Sequence, residues 1–380
     1  MSRQFEAAGH DVRVVTAMPH YPSDTILPGY RRKLRMTEDF HGVEVRRIWN
    51  LPASGRGSKR FVSFATFLPL GGLRSLTLPK ADILFIESPP LTTGLLGILL
   101  GHRKGRKVVL NVADLWTDAA VELGSLTEGS RGHRALAKLE STIYSRVDQV
   151  IAVTEGVKDG LLAKGVPEEK IGWLPNGVDI DTFHPERPGR RPAELRDIDA
   201  PLFVFPGNIG YISGLDVVIE AMALLKAEGS DIHFAFIGDG SERERLEEAS
   251  RSRSLTNIRF VDPVPPEQIA DLLPTVTGGV ATLADLPISL MVRPSKVFPM
   301  LATATPVVYS GKGEGAALVA DHGAGVVVEP GDPAALAAAM QRVAAGGEDI
   351  EQMGRNGRQL AVDRFSWAAL ISDWMASLEE

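Results

Sequence analysis

The sequence has no cysteine among its 380 residues. That absence removes disulfides, thiolate metal sites and thiol nucleophiles together, and it suits a reducing cytoplasm. No uncharged apolar run is long enough to span a bilayer, and no secretory leader is legible. Basic charge is in deficit: 41 Lys and Arg stand against 48 Asp and Glu, a net charge of -7, which argues against a general nucleic-acid binder. No internal repeat has a solenoid period. What is present is ordinary globular material, 44% hydrophobic and 23% charged, in a chain too long for one core and suited to two domains.

Short β-branched runs recur along it: "DVRVVT" (11–16), "ADILFIE" (81–87), "RKVVLNV" (106–112), "DQVIAVT" (148–154), "PLFVFPG" (201–207), "IHFAFIG" (232–238), "GGVATL" (278–283) and "TPVVYS" (305–310). Helical patterns lie between most of them. Apolar strands alternating with helices predict parallel sheets covered on both faces, an α/β class. "HPERPGRRPAELRDIDAP" (184–201) holds four prolines and many charges and reads as a linker. The expected domains are therefore 1–187 and 199–360, with 361–380 a terminal helix packing back on the first domain.

The start of the chain is unusual. "RQFEAAGH" reads as the last turns of a helix stopped by Gly9, with the strand "DVRVV" following at once. A doubly wound domain opens instead with a strand and a glycine-rich turn. The expectation is that a central strand of the first sheet is absent and its neighbours are left unpaired.

Ligand chemistry in such folds gathers at the carboxyl ends of the strands. Four stretches occupy that position. "FPGNIGYISGLDVVIEAM" (205–222) brings Gly207, Asn208 and Gly210 into a turn feeding a helix near Leu215, where backbone N–H groups and the helix dipole favour an anion. "FIGDGSERERLEE" (236–248) repeats the device with Gly238 and Asp239, or is a helix capped by Ser241 and Glu244. "RPSKVF" (293–298) puts Ser295 at a capping position and Lys296 at a helix start, where a cation opposes the dipole and calls for an anionic partner; Arg293 lies beside it. "YSGKGEGAAL" opens another helix at Gly313 and Glu314. Four such turns in one domain predict a phosphate-bearing nucleotide ligand.

These stretches carry a resemblance. "LPNGVDIDTFHP" (174–185), then "GNIG…GLD", "IGDGSERERL" and "RPSKVF…ATPVV" in that order, is similar to glycosyltransferase family 4. "NVADLWTDAAVELG" (111–124) resembles the subgroup that transfers deoxy-amino sugars in surface-polysaccharide assembly. The resemblance implies the GT-B fold, two Rossmann-like domains facing across a cleft. It implies a retaining enzyme that moves a sugar from a nucleotide diphosphate sugar, here a UDP-sugar, to a glycan or polyprenyl-linked acceptor, with no essential metal and no other cofactor. The donor would bind through Gly207, Asn208, Gly210, Gly238, Asp239, Arg293, Ser295, Lys296, Gly313 and Glu314. A degenerate non-catalytic relative and a nucleotide-sugar epimerase are the alternatives; the second needs a set of acid and base residues that the sequence does not display.

Two departures follow from the same alignment. Family members commonly carry Glu-x7-Glu here, the second Glu holding the donor ribose, and Met291 and Pro299 stand at those positions. Proline in a first helical turn is structurally tolerated, and Glu314 is the candidate to take over the ribose. In the first domain Asp114 follows a strand and is expected to orient sugar hydroxyls, or to cap the next helix. "GRGSKRFVSFATFLPLGGLRSLTLPK" (55–80) has Lys59 and Arg60 ahead of Phe61 and Phe64, a basic and aromatic pattern suited to a membrane surface, or else an amphipathic helix packed on its own sheet. The protein reads as cytoplasmic, peripheral on the inner face of the membrane.

Overall fold

A computed structural model describes residues 1–20, 25–52 and 58–378. The chain forms two compact units, Met1–Pro175 with Ile371–Glu380, and Asn176–Leu370.

Unit 1 runs α1 (Ser2–Ala7), β1 (Arg13–Ala17), β2 (Arg35–Phe40), β3 (Val43–Ile48), α2 (Ser58–Leu76), β4 (Ala81–Ser88), α3 (Leu91–Lys104) and β5 (Gly105–Val112). It continues with α4 (Trp116–Glu122), α5 (Arg131–Arg146), β6 (Gln149–Ala152), α6 (Glu155–Ala163) and β7 (Ile171–Trp173). The strands form two sheets, β1-β3-β2 and an all-parallel β4-β5-β6-β7. β1 ends one sheet and β4 ends the other, so each has an edge without a partner strand among the described residues. Helix α1 lies against both sheets: Glu6 reaches Gly42, and the Phe5 ring is 6.1 Å from Phe85 in β4. Gly9 has φ 91°, the left-handed stop expected after α1. On the other face α3 presses close, because Gly94 leaves room for Ile143 and Leu110 where a Cβ would lie 2.7 Å from Ile143.

Unit 2 runs β8 (Leu202–Pro206), α7 (Asp216–Ala227), β9 (His233–Ile237), α8 (Arg243–Ser252), β10 (Ile258–Val261), α9 (Pro266–Leu272) and β11 (Gly278–Thr282). Then come α10 (Val297–Ala302), β12 (Val307–Ser310), α11 (Glu314–Asp321), β13 (Gly325–Val328), α12 (Pro333–Ala345) and α13 (Glu348–Phe365). Its sheet is wholly parallel in the order β10-β9-β8-β11-β12-β13. This is the doubly wound order, with its reversal between β8 and β11. The central strands β8, β11 and β12 are buried, and two apolar clusters cover the sheet, one around Val204, Phe298 and Leu301 and one around Phe203, Phe236 and Met222.

Two boundaries differ from the sequence reading. The proline-rich stretch 184–201 is bound into unit 2 rather than free. Leu195 and Ile198 are buried, Arg187 pairs with Asp271 at 2.6 Å, and Arg191 donates to the Thr275 carbonyl at 2.6 Å. The prolines shape a covering segment around these anchors. At the other end α13 runs to Phe365, and α14 (Trp367–Ser377) begins after Ser366, which bridges Val178. From Ile371 the chain belongs to unit 1. Trp374 is 2% exposed there, packs edge-on against Phe5 and Phe85, and donates to Gln149 Oε1 at 3.1 Å.

Trp374→Ala removes that anchor. We expect a loss of about 3–5 kcal/mol of unit 1 stability by urea denaturation, with Trp374→Phe recovering most of it.

Candidate functional site

The reversal between β8 and β11 is where a doubly wound sheet leaves a crevice, and three of the four turns meet there. After β8, Gly207 (φ 124°) and Gly214 (φ 59°) bend the chain into α7. After β9, Gly238 lies so close to this turn that an added Cβ would stand 2.0 Å from the Gly207 carbonyl oxygen. Gly240 likewise abuts the Ile209 carbonyl and the Asn208 side chain. Backbone bonds lock the pair: Ile209 N–H donates to the Asp239 carbonyl at 2.9 Å, and Glu242 N–H to that of Ile209 at 3.0 Å. The glycines are required because two backbones touch.

Lys296 comes from the loop before α10, and its Cε lies 3.6 Å from where a Gly207 Cβ would be. Its ammonium sits over the Phe205 ring, 4.2 Å from the centroid. Among the described residues it has no ion pair and no hydrogen bond to protein. Loss of water holds its pKa down to about 8 from the usual 10.5. A cation–π contact offsets only part of such desolvation. The arrangement suits an anion, which would complete the cation's coordination.

The fourth turn connects through Arg293, whose guanidinium pairs with Glu314 at 2.8 Å in the first turn of α11. Gly313, at φ 75°, starts that helix with its would-be Cβ 2.1 Å from the Leu290 carbonyl oxygen. Both Arg293 and Glu314 are thereby engaged with each other. The carboxylate expected to take over a ribose contact thus also holds a guanidinium through Oε2.

Other candidates are placed as follows. Ser295 is exposed and does not cap: Lys296 is the N-cap residue of α10, with no side-chain cap. Ser241 does not cap α8 either; its N-cap is Glu242. Instead Asp239, Gly240, Ser241, Arg243, Glu244 and Glu247 line a recess of about 510 Å³ beside the β9 turn. Asp239 Oδ1 accepts from Gly240 N–H at 2.8 Å, while Arg243 braces the turn by donating to the Gly238 carbonyl at 2.9 Å and pairing with Asp262 at 2.8 Å. Pro299 is the third residue of α10, where a missing N–H costs little, and its carbonyl still accepts from Thr303 N–H at 3.1 Å.

In unit 1, Asp114 is exposed just past the end of β5, and Leu115, not Asp114, is the N-cap residue of α4. Glu87 in β4 lies beside it in the sheet order: its carboxylate accepts from Asn111 Nδ2 at 2.8 Å, and burial pushes its pKa up. The side chains of Lys59, Arg60 and Phe61 lie outside the described residues; Phe64 is half-buried in α2. That helix runs unbroken through Pro69, Gly71 and Gly72, because Gly72 faces Leu96 of α3 and the proline is exposed. No described helix is long and apolar enough to cross a membrane.

Sequence reasoning did not find Phe205 or the Glu87–Asn111 pair. An aromatic in a buried strand reads as core, and a lone carboxylate in a strand gives no spacing signal.

Comparison with known proteins bears on the family and the fold. The family description "Glycosyl transferase 4-like domain" fits residues 1–177 and "Glycosyl transferases group 1" fits residues 187–360. The chain is similar to WcaI of Escherichia coli, named for glycosyl transfer in colanic acid biosynthesis, with 30% identity over 281 residues, 71% of this chain and 67% of that one. Among solved structures it is similar to sucrose-phosphate synthase from Thermosynechococcus elongatus, with TM-score 0.73, 19% identity, and coverage of 100% of this chain and 90% of that chain. It is also similar to HepE of Anabaena, solved in complex with UDP and glucose, with TM-score 0.68, 16% identity, and coverage of 90% and 87%.

Lys296→Met tests the cost of the enclosed cation. The folded-state pKa lies below the unfolded one, so the penalty is fully present below about pH 8 and is relieved as pH rises toward 10.5. We expect the variant to melt higher than wild type at pH 7, and the gap to narrow between pH 8 and 10.5. A constant gap would separate the effect from the charge.

Proposed function

The chain belongs to the family 4 glycosyltransferases, and we propose that it moves a sugar, with retention of anomeric configuration, from a UDP-type nucleotide diphosphate sugar to a glycan or polyprenyl-linked acceptor. The observation that carries the donor half is Lys296. A half-buried ammonium with no carboxylate partner among the described residues, set against a lattice of glycine turns, suits a diphosphate. In the transfer the bond from the anomeric carbon to the phosphate oxygen breaks, and a bond to an acceptor oxygen forms. Negative charge then grows on the departing diphosphate. Lys296 and the backbone N–H groups of the 207–214 turn stabilise it without reorganising at the moment of reaction. Arg293 acts on the same charge from within its ion pair, or holds the loop that presents Lys296. No cofactor and no metal belong to this reading.

HepE was solved with UDP, which favours the UDP class for a donor site of this fold. The name of WcaI, a colanic acid biosynthesis glycosyl transferase, favours a polysaccharide acceptor. Asp114, exposed at the carboxyl end of β5, is assigned to orienting sugar hydroxyls. Segment 55–80 is assigned to the acceptor side.

Calorimetry with UDP and with uridine tests the donor half. Lys296→Ala is expected to weaken UDP by about 1–3 kcal/mol, the range for a charged hydrogen bond, and to leave uridine unchanged; equal loss for both ligands contradicts the assignment. For Asp114→Asn the expectation is slower transfer at an unchanged melting temperature. Unaltered kinetics would remove Asp114 from the site.

A further inference from the structure

The protein is acidic overall, yet residues 31–35 read Arg-Arg-Lys-Leu-Arg, four cations in five residues with no carboxylate among them. All five are exposed, and Leu34, at 75%, is more open than any other large apolar side chain described. Arg32, Lys33 and Arg35 form no ion pair among the described residues. The carboxylates nearest in the strand that follows are already used. Glu38 holds Arg47 and accepts from the Tyr30 hydroxyl, and Asp39 accepts from Gly42 N–H at 3.1 Å.

The segment is also held in shape. Arg31 Nε donates to the Ile26 carbonyl at 2.8 Å, Trp49 N–H donates to that of Leu34 at 2.8 Å, and Leu27 N–H donates to that of Pro19 at 2.9 Å. Arg32 sits at φ 59°, a left-handed conformation that arginine seldom adopts. The turn thus projects Leu34 outward between cations at fixed positions. Beside it, Arg74 of α2 bonds Thr37 of β2, and Arg46 of β3 bonds Thr77 at 2.7 Å. These bonds set the C-terminal end of α2 next to the sheet, where Leu73 is 65% and Leu76 50% exposed.

We propose that this face of unit 1, centred on Arg32, Lys33, Leu34 and Arg35, docks on an anionic lipid bilayer. Unpaired cations draw the face to the charged headgroup layer, and the outward leucines enter the acyl boundary. A soluble polyanion would satisfy the cations but would give the exposed leucines nothing to bury in. The inference deepens the proposed lipid-linked acceptor by naming the surface that meets the membrane, and it places that surface on the β2 turn rather than at Lys59 and Arg60.

The test is co-sedimentation of the full chain with phosphatidylglycerol-containing vesicles and with neutral phosphatidylcholine vesicles, alongside UDP calorimetry on every preparation. Wild type is expected to pellet with the anionic vesicles at low salt and not with the neutral ones. Added salt should release it, because the attraction is screened within about 8–10 Å at ordinary ionic strength. Arg32→Glu/Lys33→Glu/Arg35→Glu should weaken partitioning by more than about a hundredfold, since each cation near such a surface contributes about 1 kcal/mol. Leu34→Ser, with charge unchanged, should weaken it several-fold. Wild type remaining in the supernatant with anionic vesicles overturns the proposal, and so does a Leu34→Ser variant that pellets like wild type, which would make the patch a polyanion site. Because UDP binding is read on the same samples, wild type that binds UDP yet stays in the supernatant with anionic vesicles overturns the docking face and leaves the donor site standing.

Discussion

An ammonium group set over an aromatic ring, partly withdrawn from water and given no carboxylate among the described residues, is costly for a folded domain to hold. Lys296 is held that way by the geometry of unit 2. It leaves the loop before α10, crosses the glycine turn that follows β8 and ends over Phe205. Its Cε packs at ordinary contact distance on the Gly207 turn, whose φ of 124° suits glycine, and that turn presses on Gly238, where no Cβ fits. The turns after β8 and β9 and the loop before α10 are therefore one mechanical piece, and the cation is what they are arranged around. The cost makes sense if the missing counter-charge arrives with the substrate, so that binding energy and charge compensation are the same event.

The departures at this site are consistent with that priority. Pro299 occupies a helix position whose N–H would have no partner, so α10 forms without strain and its other residues pack into the core. Glu314 is tied to Arg293 and stabilises the loop carrying Lys296. On the proposed reading, Lys296 and the glycine turns face the phosphates, while Met291 and Pro299 offer the nucleoside no side-chain carboxylate.

Much of this was legible in the sequence, and the reasons are specific. The buried parallel strands of unit 2 announced themselves as continuous β-branched runs, because both faces of that sheet are covered. The glycine turns were legible because backbone contact admits no other residue. The β2–β3 hairpin was not, since "RMTEDF" and "VEVRRI" are charged and half-open, and the four-residue edge strands β10 and β13 are too short for periodicity to register. The 184–201 stretch misled because prolines and charges outnumber Leu195 and Ile198, and two buried side chains were enough to fix it. Phe205 stayed hidden because its role lies in what sits above the ring, which only the fold reveals. Unit 1 divides into two sheets, with β1 and β4 at edges that have no partner strand among the described residues.

On the proposed reading, the diphosphate supplies the counter-charge to Lys296. Calorimetry of UDP binding at pH 8, run in buffers of different ionisation enthalpy, measures it directly. Near its pKa of about 8 the free protein carries Lys296 half neutral, and an anion that binds it must recruit the missing proton. The account predicts uptake of about half a proton per UDP, falling to zero in Lys296→Met. Binding of UDP with no proton uptake by wild type, or with the same uptake in the variant, would contradict it.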